Sequence, residues 1–203
     1  MIARRNDTSK ATPEETRERI LEATREIYVN KGFRGTTTRE VAERAGVNEA
    51  TLFRHFGNKE ALVEAMFKNA VRGDREALNG FFLGVTGDLP TDLRRFAVEA
   101  LHGIAAKRDL ILVSLAEESR DPTGFNLLWQ TPSTVYEHLK TYFAEAAAAG
   151  KVRGDPAINA RFFMGMLVAH VMGRCIFGTP NFEEVADYSV EIFLNGIAGN
   201  KQE

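Results

Sequence analysis

The chain has 203 residues, is 44% hydrophobic and 27% charged, and carries a formal net charge of −2. Such a composition belongs to a folded globular protein rather than a disordered one, and no uncharged apolar run approaches the roughly 18 residues that a membrane span needs, so no membrane association is expected. The lone cysteine, Cys175, allows no internal disulfide and agrees with a reducing, cytoplasmic setting.

Along the chain every element reads as helical, because prolines fall near helix starts and no segment sustains period-two alternation. The opening MIARRNDTSK has arginines but no apolar stretch after them, unlike a signal peptide. Arg4, Arg5 and Lys10 there read either as a flexible basic arm or as a solvated terminus. Thr12-Pro13-Glu14-Glu15 predicts the first helix start: a cap, a proline at the first position and a capping-box glutamate. Ile20, Leu21, Ala23, Ile27 and Tyr28 form its apolar stripe, and Gly32 is expected to end it.

Thr37-Thr38-Arg39-Glu40 reads as a second capping box, with Glu40 reaching back to Thr37. Val41, Ala42 and Ala45 supply an inward face, Gly46 takes the left-handed conformation that ends the helix, and Val47 plugs the corner. Asn48 caps a third helix in which Leu52 and Phe56 face in while Thr51, Arg54 and His55 lie on other faces. Gly57 stops that helix and Asn58 caps the next. Helix, short glycine turn, helix is the helix-turn-helix plan, whose second helix enters the DNA major groove.

A fourth helix is expected from Asn58 to about Leu83, long enough to connect a small head to a larger body. Residues 84–90 break the pattern. The fifth helix follows Thr91, with Leu93, Phe96, Ala97, Ala100, Leu101 and Ile104 inward. Asp109 begins a sixth, Leu110 to about Glu118, and residues 119–124 read as a loop. The seventh covers about 125–149 with an interruption near Pro132. After a turn at Gly150 to Gly154, Asp155-Pro156 starts the eighth, running to about Phe177, and the ninth covers about 182–197. The eighth reads FFMGMLVAHVMGRCIF, apolar on nearly all sides, so it must be covered all round. One face serves a core, and the other can meet a symmetry mate, where Gly165, Ala169 and Gly173 permit close approach.

Gly32-Phe33, Thr36 to Ala42, Ala45-Gly46-Val47, Thr51 to Phe56 and Asn58 to Leu62 stand in the order and spacing of one known DNA-binding domain, and in them the chain resembles the TetR family of bacterial transcription regulators. The resemblance implies an all-α fold of about nine helices, with a helix-turn-helix head (residues 1–58) and an effector-binding and dimerisation domain (residues 59–203). It implies that Thr37, Thr38, Thr51, Phe53, His55 and Lys59 sit on the DNA backbone and that Arg54 also lies at the DNA. It makes Arg39, Glu49 and Ala50 the candidates for base edges: Arg39 for guanine, Glu49 for cytosine, Ala50 for a thymine methyl. Glu49 at a helix tip either reads cytosine or complements the helix dipole. Charge is divided accordingly: residues 1–60 hold 12 Lys+Arg against 10 Asp+Glu, and residues 61–203 hold 14 against 18.

The resemblance also implies a homodimer through the last two helices (about 156–177 and 182–197) and a small-molecule effector pocket in the body. An apolar pocket is expected near Phe96, Trp129, Phe163 and Leu167, with His102, Glu117 and His170 as candidate polar anchors. No cofactor or metal is expected. An enzyme has little support: GxSxG, a phosphate loop, HExxH and CxxC are absent, and His55, His102, His138 and His170 are scattered. The function expected is a cytoplasmic, ligand-responsive repressor on a near-palindromic operator. The alternative is an architectural or partner-controlled DNA-binding factor without an inducer.

Overall fold

A computed structural model describes residues 12–117, 122–173, 178 and 181–197, with all their side chains except those of residues 73–83, 122–125, 127 and 129–132. Arg4, Arg5, Lys10, Cys175 and Phe177, and the Trp129 side chain, therefore lie outside the described residues.

Helix α1 (Pro13–Gly35) begins as its sequence dictates, with the Thr12 hydroxyl accepting from the Glu15 amide and the Glu15 carboxylate accepting from the Thr12 amide. Gly32 interrupts this helix rather than ending it: φ 64 and ψ −173 at Gly32 kink the chain, and one further turn reaches Gly35. Only glycine tolerates that backbone, and a methyl group there would also lie 2.8 Å from the Glu117 Cδ.

Helix α2 (Thr38–Ala45) has only half of the expected capping box. The Thr37 hydroxyl accepts from the Glu40 amide at 3.2 Å, but the Glu40 carboxylate turns to Lys31 Nζ at 2.6 Å. A cation on the neighbouring helix outcompetes the neutral amide of the cap. Helix α3 (Glu49–Phe56) follows, then α4 (Lys59–Leu83). Together with α1 they bury Ile20, Tyr28, Val41, Leu52, Leu62 and Phe67, with the Tyr28 and Phe67 rings edge-on at 5.3 Å. The boundary expected at residue 58 is the cap of α4, yet α4 packs with the head as far as Val71.

Helix α5 (Leu89–Ala106) starts earlier than expected, because Asp88 rather than Thr91 is the cap. Asp92 in its first turn is fully buried and accepts from the Thr86 amide and hydroxyl, the Gly87 amide and the Tyr142 hydroxyl, at 2.8 to 3.1 Å. Burial pushes this carboxyl up, but the donors outweigh it, and its pKa is lowered. Burial, and then the bond to Asp92, raise the Tyr142 pKa.

Helix α6 (Arg108–Glu117) is followed by α7 (Pro122–Ala148), so residues 122–124 are helical rather than loop. The break expected at Pro132 is also absent, since α7 is continuous through it. Proline forfeits one amide bond and crowds one carbonyl, and the packing of α7 on α4 and α8 holds it regardless. Helix α8 (Pro156–Met172) stops at its cap Gly173, short of the expected Phe177, and α9 (Phe182–Ile197) follows; every regular element among the described residues is a helix. No helix is long and apolar enough to cross a membrane among them.

The body core gathers Leu93 and Phe96 from α5, Phe143 from α7, Phe163 and Leu167 from α8, and Phe193 from α9. Its aromatic centre places Phe163 4.9 Å from Phe193 and 6.1 Å from Phe96. Head and body share side chains: Leu110 of α6 and Leu128 of α7 are buried in the head's cluster, and Arg25 Nη2 donates to the Ala106 carbonyl at 2.7 Å.

Candidate nucleic-acid interface

The turn between α2 and α3 is made by Gly46 at φ 66, ψ 38, whose amide and that of Val47 close back on the Glu43 and Ala42 carbonyls. That left-handed step is cheap for glycine, and half-buried Val47 seals the corner against the head's cluster. Helix α3 then buries Leu52 alone of its eight residues. Half-buried Phe56 also packs on the head's cluster; of the others, Ala50, Phe53 and Arg54 are exposed, and Glu49, Thr51 and His55 are half-buried. A ring as open as Phe53, 44% exposed, is an unusual feature on a short polar helix.

Three helix N-termini belong to this head. Thr37, Asn48 and Asn58 each take one first-turn amide, from Glu40, Thr51 and Ala61, at 2.7 to 3.2 Å. The other first-turn amides of α2, α3 and α4 have no acceptor within their helices, and the aligned peptide dipoles leave positive charge there. Such ends suit phosphate oxygens.

The DNA residues expected from the sequence are placed as follows. Thr37 is a cap. The Thr38 hydroxyl donates to Glu49 Oε1 at 2.7 Å, joining the tips of α2 and α3. Arg39 is 81% exposed and pairs with Glu43 one turn on, at 3.1 Å. A pair that open contributes little to stability, so the guanidinium is free to exchange its partner. Lys59 Nζ lies 4.5 Å from the centre of the Phe33 ring, parked on its face at the tip of α4. His55 is tilted against Phe56, whose ring also carries the Arg17 guanidinium 5.3 Å from its centre. The links Thr38–Glu49, Lys31–Glu40 and Lys59–Phe33 have no local sequence signal, since each joins different elements.

The residues expected around an effector are not drawn together in the same way. Phe96, Phe163 and Leu167 are buried side by side in the body core. His102 is exposed, its Nδ1 2.9 Å from the Val98 carbonyl and its ring edge-on to Phe182 at 4.9 Å. Six residues of helix separate it from Phe96, about 240° of turn, which takes it off the core face. Glu117 stands beside Gly32 of α1. His170 is exposed on α8, where it lines an open groove of about 380 Å³ with Met166, Val185, Tyr188, Ser189 and Ile192. The three candidate anchors thus occupy separate places.

That groove continues an apolar outer face. Ile158, Phe162, Tyr188 and Ile192 are 50 to 67% exposed, and Gly165 and Ala169 lie open at the helical spacing of Ile158 and Phe162. Large apolar side chains concentrated on two adjacent helices mark a surface built to be covered.

Comparison with known proteins agrees with this architecture. Residues 20–66 match the profile of bacterial regulatory proteins of the tetR family, and residues 91–196 match that of the AefR-like transcriptional repressor C-terminal domain. The chain is 31% identical over 191 residues to YvkB of Bacillus subtilis (strain 168), an HTH-type transcriptional regulator, covering 91% of this chain and 98% of that one. Its fold is similar to that of a TetR-family transcriptional regulator from Mesorhizobium loti, with a TM-score of 0.72 at 21% identity over 93% of this chain and all of the other. It is similar also to that of the flavonoid-responsive regulator FrrA, with a TM-score of 0.64 at 22% identity, over 91% of this chain and 98% of that one.

Proposed function

The chain belongs to the TetR family of helix-turn-helix transcriptional regulators, and from that premise we propose that it is a homodimeric, ligand-responsive repressor of a near-palindromic operator. One observation carries the reading: α3 anchors Leu52 and Phe56 on the head and leaves Ala50, Phe53 and Arg54 open, from a corner fixed by caps and by Gly46. In this reading residues 1–58 form the DNA-reading head and residues 59–203 the effector and dimerisation domain. Arg39, Glu49 and Ala50 meet base edges, Thr37, Thr51, Phe53, His55 and Lys59 hold the duplex backbone, and Arg54 also lies at the DNA. The protein acts in the cytoplasm, without cofactor and without catalysis of its own.

The dimer forms through α8 and α9. The open apolar side chains Ile158, Phe162, Tyr188 and Ile192 support this, because a two-fold axis lets one such face cover its copy. The effector is a small, mostly apolar molecule held in the body near Phe96, Trp129, Phe163 and Leu167, as FrrA answers to a flavonoid. To act, it must favour one spacing of the two heads over another. The Arg25 bond to Ala106 and the burial of Leu110 among head residues supply a mechanical link for that shift. The close ring packing of Phe96 and Phe163 favours a second reading, control by a partner protein instead of an inducer. A ligand screen that leaves melting temperature and DNA affinity unmoved selects it.

Selection of sites from a random duplex library by the purified protein tests the proposal. A two-fold-symmetric consensus with a steep loss of affinity on adding salt is the expected result. Equal binding to all duplexes overturns it.

A further inference from the structure

The contact between Thr38 and Glu49 gives Thr38 a role of its own, and the inference rests on the operator-binding reading above. Thr38 is the first residue of α2 and Glu49 the first of α3, eleven positions apart, and their half-buried side chains meet with the Thr38 hydroxyl 2.7 Å from Glu49 Oε1. A carboxylate has no proton to give, so the hydroxyl is the donor, and its only proton is spent on Glu49. It has none left to donate to a phosphate. Arg39, next in sequence, does not neutralise the carboxylate either, since its guanidinium is turned to Glu43.

We propose that Thr38 is a positioning residue for base readout, holding Glu49 so that the carboxylate meets an amino-bearing base, cytosine or adenine, in the major groove. A carboxylate only accepts. It can bond the cytosine N4 or adenine N6 amino group but is repelled by guanine O6 and N7 and by thymine O4. An acidic side chain brought among phosphates would swing away unless held. The Thr38 hydroxyl holds it, and so does the positive end of α3 on which it sits. Fixing the rotamer beforehand also removes ordering entropy that a free glutamate would lose on binding. The pair therefore sets sequence preference at one position of each half-site.

The test is a library selection and competition binding on the full-length protein, comparing wild type with Thr38→Val, Thr38→Ser, Glu49→Ala and the Thr38→Val/Glu49→Ala double variant. Glu49→Ala is expected to lose one cytosine or adenine preference. Thr38→Val is expected to weaken the preference at that same position by roughly tenfold, leaving other positions unchanged. Thr38→Ser keeps it, and the double variant matches Glu49→Ala. A Thr38→Val protein that loses affinity for all duplexes equally, with its base preferences intact, overturns the proposal and makes Thr38 a backbone contact. Unaltered binding overturns it too. Should the valine variant fail to fold, Thr38→Ala is judged by the same two criteria. A wild type that selects no sequence sinks the operator reading and this inference with it, an outcome distinct from a wild type that selects normally and a variant that does so as well.

Discussion

Helices α3 and α8 both turn a face outward, and the two faces differ in chemistry. On α3 the outward side chains are Glu49, Ala50, Phe53, Arg54 and His55, over a single buried Leu52. On α8 they include Ile158, Phe162, Gly165 and Ala169, over buried Ala160, Phe163, Leu167 and Val171. Hydrogen-bonding groups and a basic side chain suit a duplex, whereas an apolar stripe suits a copy of itself. The two helices also differ in what holds them. An eight-residue helix has little stability alone, so α3 depends on Asn48, Gly57 and its anchors Leu52 and Phe56, while α8 is held by the aromatic core. Under the proposed function, stability and function are therefore separable on α3 and entangled on α8.

Three substitutions bear on that contrast. The largest effect is expected at Phe163, whose ring meets Phe96, Phe143 and Phe193. Phe163→Ala should cost about 3–5 kcal/mol in denaturant unfolding and lower dimer and DNA binding together. A variant that unfolds like wild type would break the claim that the aromatic core holds α8.

Asp92 comes next. Asp92→Asn turns an amide N–H2 towards donors and should cost about 2–3 kcal/mol at neutral pH, with the operator affinity of the folded protein unchanged. Its folded pKa is depressed, so the stabilisation it supplies is complete above the unfolded carboxyl pKa and is lost as pH falls through the folded value. Wild type should therefore lose this increment in acid below about pH 4, and the asparagine variant should lack that part of the acid dependence. Parallel melts from pH 7 downwards check the sign.

The third change sharpens the separation most cleanly. Arg39, 81% exposed, should yield to alanine with stability changed by less than about 0.5 kcal/mol, while operator binding weakens by about 1–3 kcal/mol. A loss of stability equal to the loss of binding would mean that the head, too, entangles the two.

How far the sequence could be read follows the same division. The caps Thr12, Asn48 and Asn58 and the stop at Gly46 act on amides and carbonyls within a few residues, so the helix-turn-helix was legible from neighbouring letters. Lys31 and Glu40, Thr38 and Glu49, and Asp92 and Tyr142 meet across nine, eleven and fifty positions, and periodicity does not say which side chains will find one another. For that reason Glu40 departs from its capping box, and nothing near Asp92 in the sequence signals its buried bonds. The body was legible as inward stripes such as Leu93, Phe96 and Leu101, but the surroundings of His102, Glu117 and His170 depended on where each helix ended and what packed beside it. Pro132 shows the converse, a local breaker overruled by the long helix around it.

Under the proposed function two heads are held at a fixed separation by α8 and α9, and inserting about five base pairs between the half-sites of the selected operator tests that most directly. Half a turn of DNA places the second half-site on the opposite side of the duplex. Affinity is expected to fall to that of an isolated half-site. Unchanged affinity after the half-turn insertion would mean that the heads bind independently, and would contradict a rigid dimer.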